Sequence, residues 1–478
     1  MRNIFRDFNV GDDEKNRHEA MHPMILLVII VVLCALLSYI IPAGQYERVL
    51  NEETGREMVV PGSFTFVERT PVSVLAVLTS ITLGMQEASY VIFFLLIIGG
   101  MFGIINGTKA LNVAVANLLK KLKGRELLLI PLLMIFFGCG SAFCGNFEEF
   151  LIFVPLVLAI CITVGYDSLT AVGIIFIAAT AGYAGAITNT FTVGNAQEIA
   201  SLPKFSGMGL RIVLFISLEI VSMAYVMWMA NAVKNNPKFS GCYAYDEKYN
   251  KGKTINLENV SKLTTGQTFT IIIFIAGMIL SIIGVIEWGF YVDELSAIFL
   301  AAGVIGGIVG GLKPREICEY FIKGCKDMVL PCIMIGLANA AILLMNNANI
   351  MDTILHSLSN MVQKFPAPVM PIGMFIFHEI FNVFVPSGSA QAFTTMPLMT
   401  ALADKVEITR QTAVLAYQLG DAFTNIMAPT GGEILAALAI CRVPFGKWVR
   451  YLLPLFIIWW LVSFIFLLYA GSVGYGPM

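Results

Sequence analysis

The sequence predicts an all-α polytopic membrane protein, built as two inverted repeats that each carry a re-entrant hairpin and a broken transmembrane helix. Three observations lead there. First, 57% of the 478 residues are hydrophobic and only 13% are charged, which is outside the range of soluble globular domains. Second, several uncharged runs approach or exceed the ~20 residues a helix needs to span a bilayer. Third, residues 154–172 lie without a gap over residues 396–414, a constant offset of 242 (396 minus 154). Pro155, Leu156, Ala159, Val164, Thr170, Ala171 and Val172 each meet an identical residue in the second copy.

In chain order, residues 1–23 read as a cytoplasmic tail. The apolar run Met24 to Ile41 leaves through Pro42-Ala43-Gly44-Gln45, which suits a retained span better than a cleavable signal. The first repeat covers 24–233. Beyond a Glu-rich external loop over 45–70, Pro71–Gly84 opens with Pro and closes with Gly, which predicts a short interfacial helix before the span 88–107. The amphipathic stretch 109–122 leads into the hairpin 127–163, interrupted midway by Gly145-Asn146-Phe147-Glu148-Glu149. Non-helical backbone at membrane depth is tolerated only where protein or water satisfies it, so such a break lines a cavity. A broken helix over 168–201 surrounds Thr188-Asn189, and a whole span follows at 207–233. The lysine-rich stretch 234–266 reads as a solvated cytoplasmic linker.

The second repeat, 267–478, follows the same plan. Spans at 267–287 and 294–312 precede a second interfacial helix, Pro314–Gly324, and a span at 328–346. An amphipathic stretch at 351–364 leads to the hairpin 367–403, interrupted by Pro386-Ser387-Gly388-Ser389-Ala390-Gln391. The broken helix 410–441 surrounds Thr424-Asn425, and 446–470 is the last span.

Positive charge tests this topology independently. With the N-terminus inside, Lys120, Lys121, Lys123 and Arg125, the lysines of 234–262, and Lys313, Arg315, Lys323 and Lys326 all fall on the cytoplasmic side. The first hairpin then opens from the cytoplasm and the second from outside, which makes the repeats inverted. Nine crossings leave the C-terminus external. A bacterial plasma membrane is the compartment expected.

No stripe of Lys and Arg suits a nucleic acid. The nine cysteines lack metal or CxxC spacing, which favours core packing. His18, His22, His356 and His378 do not converge, and neither a Walker sequence nor a dinucleotide fingerprint is present. Neither an enzyme nor an ATP-driven pump is expected. Weak internal symmetry with paired interruptions suits a secondary transporter instead.

Ionisable groups at membrane depth are costly and point to a substrate or ion path. Between Arg125 and Lys204 there is no basic residue, yet the interval holds Glu148, Glu149 and Glu198. The second half offers Glu379, Asp421 and Glu433, with His378 as a cationic partner. This excess of carboxylates favours a cation or a molecule with a cationic end. Structural alternatives stand beside each. Glu148 and Glu149 suit a cap on the second hairpin helix, Glu198 suits contact with external solvent, and Glu379 suits a local pair with His378. A broken helix also offers free N–H groups to a carboxylate and free carbonyls to sodium or an ammonium group. Asn189, Thr190 and Thr192, and Asn425, Pro429, Thr430, Gly431 and Gly432, are residue types that such breaks use.

Several segments carry a resemblance: Gly145-Asn-Phe-Glu-Glu-Phe, Gly165-Tyr-Asp-Ser-Leu-Thr, Gly185-Ala-Ile-Thr-Asn-Thr-Phe-Thr-Val-Gly, Val385-Pro-Ser-Gly-Ser-Ala-Gln-Ala, Gly420-Asp-Ala-Phe-Thr-Asn and Arg442-Val-Pro-Phe-Gly-Lys-Trp. From about residue 20 onward the chain resembles the four-carbon dicarboxylate anaerobic carrier family, in its YfcC-like branch of basic amino acid antiporters. The resemblance implies the ion transporter superfamily fold, with a dimeric scaffold and a mobile, elevator-type transport domain. It also implies a substrate site made of Asn146, Glu148 and Glu149 at the first hairpin tip, Thr188, Asn189 and Thr190 at the first break, Ser387, Gly388 and Ser389 at the second tip, and Asp421, Thr424, Asn425 and Thr430 at the second break. The leading expectation is exchange of a basic amino acid, such as arginine for ornithine. A sodium- or proton-coupled carrier of four-carbon dicarboxylates is the alternative, and a non-transporting membrane enzyme or sensor the second. No cofactor is expected beyond a coupling ion, sodium or the proton; the partners are a small-molecule substrate, the lipid bilayer and, by resemblance, a second copy of the chain.

Overall fold

The computed structural model describes residues 23–51, 56–121, 124–253, 262–288, 290 and 292–477. Residues 1–22 of the tail and 254–261 of the linker lie outside the described residues. Among those described, the chain is helical apart from two antiparallel strand pairs, Gly44–Gln45 with Thr65–Phe66 and Arg48–Asn51 with Arg56–Val59. Among the described residues, eight helices are long and apolar enough to cross a membrane. The molecule is a polytopic helical membrane protein.

Two long helices cross at its centre. One is Pro314–Asn347; the other runs from Val74–Glu87 through Ala88 into Ser89–Gly107. They lie antiparallel, because Gly84 meets the backbone of Gly336 and Ala340, while Gly99 and Gly103 meet that of Gly324 and Tyr320. The thiol of Cys332 bonds to the Ile92 carbonyl, and these positions are 240 apart (332 minus 92), close to the offset of the sequence repeat. A helix that runs antiparallel to its own repeat copy through equivalent positions is what inversion requires.

This crossing corrects two expectations. Pro314 does open a helix, at the position where its missing N–H costs nothing. Gly324, however, continues that helix rather than ending it. A Cβ there would stand 1.9 Å from the Gly99 carbonyl oxygen, so glycine is required for close approach of the two backbones. Val74–Glu87 likewise packs along Pro314–Asn347 together with Ser89–Gly107. It is the first part of a long bent helix, neither an interfacial helix nor a separate span.

The first hairpin consists of Leu129–Cys144, ended by Gly145 at φ +77°, and a return through Glu148–Phe153 into Val154–Val164. The second consists of Met370–Asn382 and Gly388–Lys405. Each broken helix begins at a side-chain cap. Asp167 accepts the Thr170 N–H at 2.9 Å, and Thr409 accepts the Thr412 N–H at 3.2 Å. These caps stand 242 apart (409 minus 167), so the repeat extends from sequence to local structure. The first helix stops at Gly185, where Ala186 turns left-handed, and resumes after Asn189. The second stops at Met427 and resumes at Gly432, with Pro429 in the gap unable to continue it.

The segment after Met208–Asn235 is docked, not solvated as the lysine content suggests. Ser240, Cys242 and Asn250 are buried. Asp246 accepts the Ser168 N–H at 3.0 Å and an Asn250 N–H at 2.8 Å, and Asn250 also donates to the Cys441 carbonyl at 2.8 Å. The start of one broken helix and the end of the other are therefore tied together on one face. Burial, with Asp167 adding, pushes the Asp246 carboxyl up to about 6.

Candidate functional site

Where the central crossing faces the hairpin tips, a cavity of about 980 Å³ opens. The crossing contributes Glu87, Val91, Ile335, Asn339 and Asn346; the first hairpin tip contributes Gly145, Phe147, Glu148 and Glu149. The second tip adds Ser387, Gly388 and Ser389, and the second break adds Asn425, Thr430, Gly432 and Glu433. Seven of the sequence-predicted residues thus meet on one surface: Glu148, Glu149, Ser387, Gly388, Ser389, Asn425 and Thr430.

Hydrogen bonds hold several of them in place. Glu149 accepts the Phe147 N–H at 3.1 Å, so one of its oxygens does cap its own turn while the residue still lines the cavity. Thr430 donates to the Val383 carbonyl at 2.8 Å, and Asn425 accepts from Asn382 at 2.9 Å. These two bonds tie the second break to the end of the second hairpin's first arm. Tyr417 donates to the Gly388 carbonyl at 2.6 Å and fixes the tip above it.

Six predicted residues are placed elsewhere. Asn146 and Thr190 are absent from the lining. Asn189 is fully buried and accepts the N–H groups of Phe191 and Thr192 at 2.9 and 3.2 Å, so its side chain restarts its own helix. Thr188 donates to the Phe143 carbonyl at 2.9 Å, which fastens the first break to the first hairpin. Thr424 donates to Glu379. Asp421 is buried directly behind the second tip. A Cβ on Gly388 would stand 2.5 Å from the Tyr183 hydroxyl, 2.6 Å from Thr192 Cγ2 and 2.8 Å from Asp421 Oδ2, so these groups pack closely beneath the second tip.

The side groups considered in the sequence resolve differently. Glu198 pairs with Lys204 at 3.1 Å, away from the cavity. His378 and Glu379 do not pair. The imidazole Nδ1 meets Gln391 at 3.2 Å, whereas Glu379 accepts from Thr424 and Trp460. His378 is fully buried and does not line the cavity that Ser387 and Ser389 line.

Charge on the lining is one-sided. Among the described residues, Glu57, Glu87, Glu148, Glu149, Asp352 and Glu433 face a single cation, Arg48, and Arg48 is already bound to Asp352 at 2.7 Å. That pair lies at the mouth, where the strand-bearing loop meets helix Met351–Val362. Tyr46 donates its N–H to the same carboxylate at 3.0 Å, and burial, aided by the Asp352 charge, pushes its phenol up to about 12. Against the acids, the N-terminal ends of Glu148–Phe153, Gly388–Lys405 and Gly432–Cys441 all reach the lining. For the two longer helices, the positive dipole end suits a carboxylate there. The cavity therefore pairs carboxylates for a cation with helix ends for an anion. Glu433 was legible as an acid at depth; Asn339 and Asn346 were missed, although amides in an apolar helix are a signal that could have found them. Arg48 and Tyr183 carried no such signal, because only the tertiary fold brings them near.

A family model described as C4-dicarboxylate anaerobic carrier matches residues 22–471. The Escherichia coli protein named "Putative basic amino acid antiporter YfcC" is 30% identical, over 98% of this chain and 99% of its own. An uncharacterized Haemophilus influenzae protein is also 30% identical, over 84% of this chain and 79% of its own. Among solved structures, Neisseria gonorrhoeae MtrF, described as illuminating a class of antimetabolite efflux pumps, aligns over 99% of both chains at 15% identity with a TM-score of 0.42.

Proposed function

The chain belongs to the C4-dicarboxylate anaerobic carrier family and is a multi-pass membrane transporter, and we propose that it exchanges basic amino acids, of the arginine and ornithine type, across the membrane. The observation that carries this reading is the charge of the cavity: among the described residues six carboxylates line it, and the one arginine there is already paired. A dianion placed there would meet uncompensated negative charge, which is costly. A basic amino acid meets complementary groups at both ends. Its α-carboxylate lies at the helix ends of Gly388 and Gly432, and its guanidinium or ammonium end at Glu148, Glu149 and Glu433. The E. coli relative's name agrees with this choice of cargo.

Alternating access in this proposal is elevator-like: the hairpins and broken helices move as one body against the central crossing. The lysine-rich docked segment then faces the cytoplasm, as positive charge favours, in a bacterial inner membrane, and the crossing helices belong to the dimer scaffold. A coupling cation, where one is used, binds beside Asp421 and the Thr192 and Tyr183 hydroxyls.

The helix ends also support a second reading, a dicarboxylate carrier in which sodium or protons neutralise the acids. Proteoliposomes separate the two. Vesicles preloaded with ornithine should take up labelled arginine, unloaded vesicles should not, and Glu149→Gln should reduce uptake at least about tenfold, the scale of one charge-assisted contact. Sodium- or proton-dependent malate uptake without arginine exchange would reject the antiport reading.

A further inference from the structure

Arg211 lies on helix Met208–Asn235, inside a membrane-spanning segment, with no exposed surface. None of the salt bridges among the described residues includes it. Its guanidinium is held by four backbone carbonyls instead. Nε donates to Ala186 at 3.2 Å, Nη2 to Ile187 at 3.2 Å and Phe205 at 3.3 Å, and Nη1 to Ser206 at 2.6 Å. Ala186 and Ile187 are the unwound residues where the first broken helix stops. Freed carbonyls at such a break are the groups that otherwise coordinate a cation. Arg211 does not line the cavity, so it is no ligand for a substrate carboxylate.

The second repeat shows what replaces it. Arg211 is the fourth residue of the helix that starts at Met208, and Trp448 is the fourth residue of the helix that starts at Phe445. The Trp448 indole donates to the Ile426 carbonyl at 2.7 Å. Ile426 lies in the last turn of the helix that ends at Met427, so a carbonyl beside the second break is held by a neutral donor, whereas those of the first break are held by a cation. A buried charge without a carboxylate partner is expensive unless the surrounding dipoles are organised for it.

We propose that Arg211 is a built-in cation, occupying the carbonyl cage of the first break where a free coupling ion would otherwise sit. The carbonyl cage of the first break then needs no exchangeable ion. Thermal unfolding of the purified full chain in detergent, with choline as the background cation, tests this without reference to the cargo. Arg211→Ala should melt several degrees below wild type, and millimolar methylguanidinium or sodium should raise its melting temperature beyond any shift seen in wild type. Equal responses of Arg211→Ala and wild type to both cations would overturn the proposal. Should Arg211→Ala not fold, Arg211→Lys is compared with Arg211→Met, which removes the charge at similar length. A higher melting temperature for the lysine variant supports the built-in cation, and equal melting rejects it.

Discussion

Gly388 shows how a single residue holds the site together. Its backbone closes the second hairpin tip over Tyr183, Thr192 and Asp421, with no room for a methyl group. Gly388→Ala should therefore lift the tip off its floor, cost about 1–3 kcal/mol as an overpacked buried position does, and abolish exchange. Melting and uptake measured on the same preparation check this; a variant that transports normally would show that the tip tolerates displacement. The glycine was legible in sequence as part of a polar interruption, and so were Glu148 and Glu149 as acids without basic neighbours. Their shared surface was not legible, because the register between two hairpins from opposite repeats is set by tertiary packing. For the same reason Asn189 and Thr424 carry the right residue types yet serve the structure around them, one restarting a helix and the other holding Glu379.

At the level of elements, the docked segment 237–253 joins the outer ends of both broken helices through Asp246 and Asn250. Its carboxyl titrates higher in the folded protein, at about 6, than its ordinary value of 3.8. The neutral form is thus favoured in the folded state, so the stabilisation is fully present below about pH 4 and is lost as pH rises through about 6. Asp246→Asn mimics the neutral form and should melt above wild type at pH 7, with the difference shrinking as pH falls to 4. A difference independent of pH would assign the effect to hydrogen bonding alone. Sequence reasoning missed this docking because its lysines are consistent with solvation, while the anchoring groups are few: Ser240, Cys242, Asp246 and Asn250. It also took Gly84 and Gly324 for helix ends, since glycine has the same letter whether it terminates a helix or lets two helices touch. The hairpins and breaks were more legible, because capping residues and paired interruptions are local signals that recur at a fixed offset.

For the whole molecule, the cavity lies between the central crossing and the body formed by hairpins and broken helices, so in the elevator proposed above their relative motion decides whether substrate changes sides. The two bodies touch where Ile335 of Pro314–Asn347 meets Gly432 at the restart of the second broken helix. A Cβ built on Gly432 would stand 3.8 Å from the Cβ of Ile335, within the separation that a disulfide bridges. Cysteines at both positions, in a background lacking the native cysteines, should therefore cross-link under mild oxidation. An elevator must slide this contact apart in every cycle, so exchange should fall in proportion to the cross-linked fraction and return on reduction. Transport that persists in fully cross-linked protein would mean that Gly432 and Ile335 stay together throughout the cycle. Access would then have to alternate by motion of the hairpin tips alone, a local gate in place of a moving body.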